Sequence, residues 1–185
     1  MPQHFSMTQI EASLAEQGHS PADNGTGEMI VCRPDRGERV VLEQAELDLR
    51  EGLLGDNWRV RGSSDMPDRS ANPDAQIAVM NSRTIHALTQ DRSVWPLAGD
   101  QLFLDLDLSA ENLPAGTRLA IGSVVLEVTA LPHNGCGKFN ERFGSDATKL
   151  VNSREGRAAR RRGINTRIVQ QGIIRVGDRV TKLTD

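Results

Sequence analysis

The segment Gln101–Ser109, "QLFLDLDLS", constrains the fold more than any other part of the chain. Leucines stand at 102, 104, 106 and 108, with Phe103, Asp105 and Asp107 between them. An extended chain turns successive side chains to opposite faces, so this alternation predicts a half-buried strand with its four leucines inward. A helix would scatter the same leucines around its axis. "TRLAIG" and "SVVLEVTAL" follow as apolar runs joined at Gly122-Ser123, which predicts a hairpin.

Other short β-type runs surround this centre. "EMIVCRP" and "ERVVLEQ", separated by the turn "DRG", predict a second hairpin. "AQIAVMN" predicts a strand, followed by a helix "RTIHALTQD" capped by Ser82, with Ile85 and Leu88 inward and His86 on its surface. "INTRIVQQG" and "DRVTKL" predict two late strands with "IIRVGD" turning between them. The stretch "KFNERFGSDATKLVNSREGRAARRRG" reads as two or three short helical pieces. Many closely spaced strands with late helices predict a mainly β fold, a small β-barrel decorated by short α-helices. Residues 1–27 read as an N-terminal tail or short helix, with Ile10 and Leu14 four apart, and residues 28–185 as one barrel domain.

Composition narrows the function. With 185 residues, 37% hydrophobic and 25% charged, the chain can bury a core without staples. No run approaches the length of a membrane-spanning helix, and the N-terminus has neither a basic start nor an apolar region, so a cytoplasmic location is expected. A net charge of −3 and 3% aromatic residues speak against nucleic-acid partners. Nineteen of the 22 basic residues are arginine, whose forked guanidinium suits carboxylates and phosphates.

The chemistry concentrates in "LPHNGCGKFNERFG". Cys136 sits between Gly135 and Gly137, where the backbone is least restrained, with Lys138 two residues on and His133 three back. A thiol acts as nucleophile or ligand in its thiolate form, which a nearby cation favours. The residues leave several readings open: a nucleophile paired with His133, a metal or cofactor ligand, or an incidental cysteine. Zinc lacks the CxxC or histidine cluster that would complete four ligands. Cys32, inside an apolar run, reads as a small core residue.

Two further patterns stand out. Arg154, Arg157 and Arg161 have i, i+3, i+7 spacing, which on one helix face would make a phosphate cradle. Gly-Asp recurs in "GLLGD", "AGD" and "VGD", each a turn signal. Asp105 and Asp107 read as solvated carboxylates on the polar face of their strand.

The order "GLLGD … GDQLFLDLDLSAENLPAGTRLAIGSVVLEVT … GCGKFNERFG … RGINTRIVQQGIIRVGDRV" resembles the MOSC domain, the C-terminal part of molybdenum cofactor sulfurase, in its stand-alone bacterial form. The resemblance implies a closed β-barrel and a function in sulfur transfer to, or binding of, the molybdenum cofactor. It places Cys136 as sulfur carrier or molybdenum ligand, with Lys138 stabilising its anion. Asn134, Gly135 and Gly137 would lie against the pterin, and Arg154, Arg157 and Arg161 would hold its phosphate. The implied partners are a cysteine desulfurase or other sulfur donor, and a molybdoenzyme or an electron-donor protein for a reductase of N-hydroxylated compounds. The alternative is a non-catalytic pterin- or phosphate-binding module that docks on an enzyme. Pyridoxal phosphate, also associated with the family, finds no convincing Schiff-base setting among the three lysines.

Overall fold

A computed structural model describes residues 3–184. The strands are β1 (Gly25–Cys32), β2 (Val40–Leu42), β3 (Gln44–Asp48), β4 (Gly52–Leu53), β5 (Ile77–Asn81), β6 (Leu102–Asp105), β7 (Arg118–Ile121), β8 (Val124–Val128), β9 (Ile164–Gln170), β10 (Gly172–Arg175) and β11 (Arg179–Leu183). The helices are α1 (Met7–Gln17), α2 (Trp58–Arg61), α3 (Ser82–Thr89), α4 (Gly137–Phe143), α5 (Ser145–Asn152) and α6 (Arg154–Ala158). Short 3-10 turns lie at Pro73–Ala75 and Arg92–Ala98.

Seven strands close into a barrel in the order β11-β7-β8-β9-β5-β6-β1, and β1 returns to pair with β11. All pairings are antiparallel except β5 with β6, which α3 and the following 3-10 turn connect as a crossover. β2 extends one edge through β1, and β10-β3-β4 form a small second sheet. Closure depends on β1, which pairs with β11 at its start and with β2 at its end. Its register shifts between Gly27 and Met29 against β6, and such an irregularity lets one strand bend between two partners. Gly25 is required at the seam, because a Cβ there would lie 2.3 Å from the carbonyl oxygen of Asp105.

The four leucines of the opening motif all enter the barrel interior, as their alternation predicts. Their neighbours differ in exposure, Phe103 being buried and Asp105 and Asp107 half-buried. Phe103, on the outer face of β6, is fully buried among Trp95, Met29, Ile85 and Ile10, in a second core between barrel and helices. Asp105 is paired with Arg83, at 2.8 Å through both carboxylate oxygens, and Asp107 accepts the Ser109 N–H. The solvated-face expectation fails for Asp105, because α3 crosses this side of the strand and brings Arg83 with it.

Three further expectations change in detail. α1 packs on α3 and α5 with Ile10 fully buried, so this segment belongs to the outer core. Asn81, one residue before Ser82, caps α3 by accepting the Thr84 N–H. The "IIR" of "IIRVGD" belongs to the strand Gly172–Arg175, which pairs with β3, and only the "VGD" part turns. No helix among the described residues is long and apolar enough to cross a membrane.

Candidate functional site

Beyond β8 the chain leaves the barrel and runs through Leu131–Gly135 to α4. Side chains of two neighbouring elements pin this loop. Asn165 Nδ2 donates to the Leu131 and Pro132 carbonyls at 3.2 and 3.3 Å. The Asn152 amide pairs with both backbone groups of Gly135, each at 2.9 Å. Cys136 then stands immediately before α4 with its thiol exposed and free. Partial burial alone would raise the thiol, but the Phe139 and Lys138 backbone N–H groups and the Arg162 charge outweigh it and hold Cys136 below the usual thiol range. Cys32 is the opposite case: buried, and pushed up first by burial and then by Asp56.

Cys136 opens on a cleft of about 920 Å³ whose walls carry Arg33, Arg36, Arg39, Arg61, Lys138 and Arg142, against Asp35 and Glu141. A run of four backbone carbonyls organises several of these cations. Pro96 accepts from Arg39 Nε at 3.1 Å and Leu97 from Arg142 Nη1 at 2.7 Å. Ala98 accepts from Arg162 Nη2 at 2.9 Å, and Gly99 from Arg33 Nη1 at 2.9 Å. Gly99 adopts φ +92, a left-handed conformation that ends the 3-10 turn and presents these carbonyls in sequence. Each guanidinium has five N–H donors, so this comb fixes the arginines while leaving donors for a ligand. Crowding is evident at Arg39: burial lowers its affinity for its proton, as do Arg142, Arg33 and Arg61, with Asp56 opposing.

Two of the three Gly-Asp motifs fix the buried arginines of this comb. Asp56 of "GLLGD" takes the Arg33 guanidinium through two bonds of 2.8 Å and also accepts the Arg33 backbone N–H at 2.9 Å. Asp100 of "AGD" accepts Arg162 Nη1 at 2.7 Å. Asp178 of "VGD" closes a turn by accepting the Arg175 N–H. The signal for the first two lay in the Gly-Asp turns, but the arginines they bind lie 23 and 62 residues away. Local reading of the sequence missed Arg33 for that reason, and missed Arg39 and Arg142 because their carbonyl acceptors lie 57 and 45 residues away.

On the other side of the cysteine loop lies a separate cavity of about 330 Å³, lined by His133, Asn134, Arg157, Arg160, Arg162 and parts of β9. His133 Nδ1 is 3.5 Å from Asp100 Oδ1. Burial, and then the Arg162 charge, bring its pKa down to about 4, although Asp100 opposes the change. The histidine is therefore neutral near pH 7. His133 and Cys136 line different cavities, so the nucleophile–base pair considered from the sequence does not form.

The predicted residues are thus divided. Cys136 and Lys138 share the arginine-lined cleft. Asn134 and Arg157 line the cavity behind the loop. Arg161 faces another direction, beside Leu14 and Gly156. Arg154 is exposed at the start of α6 and lines none of these spaces. The one-face alignment of Arg154, Arg157 and Arg161 does not form, because α6 ends at Ala158 and Arg160 turns left-handed at φ +46. Gly135 is explained by packing: a Cβ there would lie 2.9 Å from Val151 Cγ2. Gly137 has open space around it.

The sequence pattern of the MOSC domain matches residues 66–181, more than half of the chain. The chain belongs to the MOSC domain family. The YuaD protein of Bacillus subtilis has a similar structure, with a TM-score of 0.62 at 14% identity over 86% of this chain and 95% of that one. YiiM of Escherichia coli superimposes with a TM-score of 0.57 at 16% identity, over 86% of this chain and 70% of that one. YiiM of Geobacillus stearothermophilus gives 0.55 at 13% identity, over 89% and 75%. These likenesses establish the MOSC-type closed barrel with short helices. No curated protein matches the sequence.

Proposed function

We propose that this MOSC protein binds the molybdenum cofactor in the Cys136 cleft, with the Cys136 thiolate as ligand to the metal. The carrying observation is an exposed, thiolate-prone cysteine opening on a cleft of about 920 Å³ in which Arg33, Arg39 and Arg142 are fixed by one run of carbonyls. The donor set suits the group: a soft sulfur for the metal, and forked cations for the phosphate of the pterin. Bound there, the cofactor would supply a metal centre for oxygen or sulfur exchange on a small substrate. Arg39 and Arg142 would orient the phosphate, and Lys138 would add a cation beside the thiolate. Gly137 leaves the approach to the sulfur open.

The test is to isolate the protein from a host that makes the cofactor and to measure bound molybdenum and pterin. Wild type is expected to carry both, Cys136→Ser to lose molybdenum, and Arg39→Ala with Arg142→Ala to lose pterin. Retention of both by all variants would refute the assignment and favour a binding module that does not use the thiol.

Exposure of the thiol on a loop supports a second reading, in which Cys136 carries sulfur. Its thiolate attacks the outer sulfur of a donor persulfide; the donor S–S bond breaks, the donor leaves as thiolate and Cys136 becomes the persulfide. Mass spectrometry after incubation with a cysteine desulfurase and cysteine should then find one added sulfur on Cys136 and none on buried Cys32. No added sulfur on Cys136 would remove this reading.

A further inference from the structure

The cavity behind the cysteine loop is built unlike the cleft in front of it. Three arginines line it, Arg157, Arg160 and Arg162, and no carboxylate does. Arg162 is only 6% exposed, yet its Nε has no hydrogen-bond partner. Nδ1 of His133, another lining residue, makes no hydrogen bond either, its polar neighbour being Asp100 Oδ1 at 3.5 Å. Three guanidiniums around a roomy cavity with no lining carboxylate leave an excess of positive charge there, which points to an anionic ligand.

The three arginines differ in commitment. Arg162 is held by Asp100 and the Ala98 carbonyl. Arg160 gives one donor to the Leu113 carbonyl at 2.6 Å. Arg157 is exposed and makes no side-chain hydrogen bond or ion pair to another described residue. Its guanidinium is therefore available at the entrance. Neutral His133, Asn134 and the apolar surfaces of Leu131, Pro132 and Ile164 complete the walls. That combination suits an oxyanion with a small organic body.

We propose that this cavity is a second anion site, separate from the Cys136 cleft, which takes phosphate, free or as a small phosphate monoester. Arg157 and Arg160 grip the phosphate oxygens, with Arg162 behind them. The segment from Leu131 to Cys136 is the partition between the two sites: its first residues line the rear cavity and its last lines the cleft. An occupant therefore braces the loop that carries the cysteine, without touching the thiol. The inference does not depend on the cofactor assignment and stands if that assignment fails.

The experiment is site-resolved: titrate the isotopically labelled full chain with inorganic phosphate, and separately with glycerol 3-phosphate, at constant ionic strength, and follow backbone amide resonances. The amides of Asn134, Gly163 and Ile164 should shift along one saturable curve, in wild type and in Cys136→Ser alike. Arg157→Glu, a change at an exposed position, should weaken that curve by about tenfold or more. Tighter binding of the monoester would identify an esterified ligand, and equal or weaker binding free phosphate. The proposal is overturned if those amides do not saturate, if only the cleft amides of Gly37 and Arg61 respond, or if Arg157→Glu leaves the cavity curve unchanged.

Discussion

Acidification should destabilise the protein through His133 before most carboxylates titrate. In the folded state its pKa falls from 6.5 to about 4, because burial and the Arg162 charge disfavour the imidazolium. A histidine depressed in this way adds stability above its unfolded value and loses it as pH falls toward the folded one. Each pH unit in that interval is worth about 1.4 kcal/mol. From 6.5 down to about 4 the loss is therefore about 3 kcal/mol, a large share of the stability of an ordinary domain. Asp100 at 3.5 Å and Arg33 are the other charges acting on the ring. Urea unfolding measured across this range gives the slope directly. His133→Gln should flatten the slope by close to one proton, leaving the contribution of carboxylates such as Asp105 and Glu127, whose native pairings also weaken in acid. Parallel curves for the two proteins, or an imidazole that titrates near 6.5 by NMR, would refute the argument.

Other outcomes follow from the same geometry. Iodoacetamide should alkylate Cys136 with a pH midpoint below that of a cysteine in a short peptide and leave Cys32 unmodified in the native state; equal labelling would contradict their assigned environments. Asp56→Ala strands the buried Arg33 charge and removes its acceptors, so thermal or urea unfolding should show a loss of about 3 kcal/mol or more. Gly163→Ala places a Cβ 2.2 Å from the Val79 carbonyl oxygen at φ +114, and a loss of at least about 2 kcal/mol is expected in the same assay. Phe103→Ala should cost about 3–5 kcal/mol, although the residue lies on the outer face of its strand.

The barrel was legible because strand patterning is local. Alternating leucines define the inner face of β6 at Leu102 and Leu104, and carry the chain into the core at Leu106 and Leu108 beyond its end, with no knowledge of its neighbours; the Gly122-Ser123 hairpin is written in adjacent residues. What covers the outer face of β6 was not legible, because beside Trp95 of the preceding 3-10 turn Phe103 meets Met29 and Ile10, which come from distant segments. The site divides along the same line. Cys136 stood out through its two glycines and Lys138, all within three positions. The arginine comb did not, since four carbonyls in a row serve two guanidiniums from the loop after β1, one from α4 and one from the approach to β9. Helical spacing drew attention to Arg154, Arg157 and Arg161 instead, and the left-handed Arg160 breaks that spacing.

As proposed, Cys136 holds the metal of a cofactor seated among these arginines. The most direct measurement is X-ray absorption at the molybdenum edge of protein isolated from a cofactor-producing host, comparing wild type with Cys136→Ser. One sulfur fewer around molybdenum in the variant, or loss of the metal altogether, is expected. The same sulfur count and the same metal content in both proteins would contradict it.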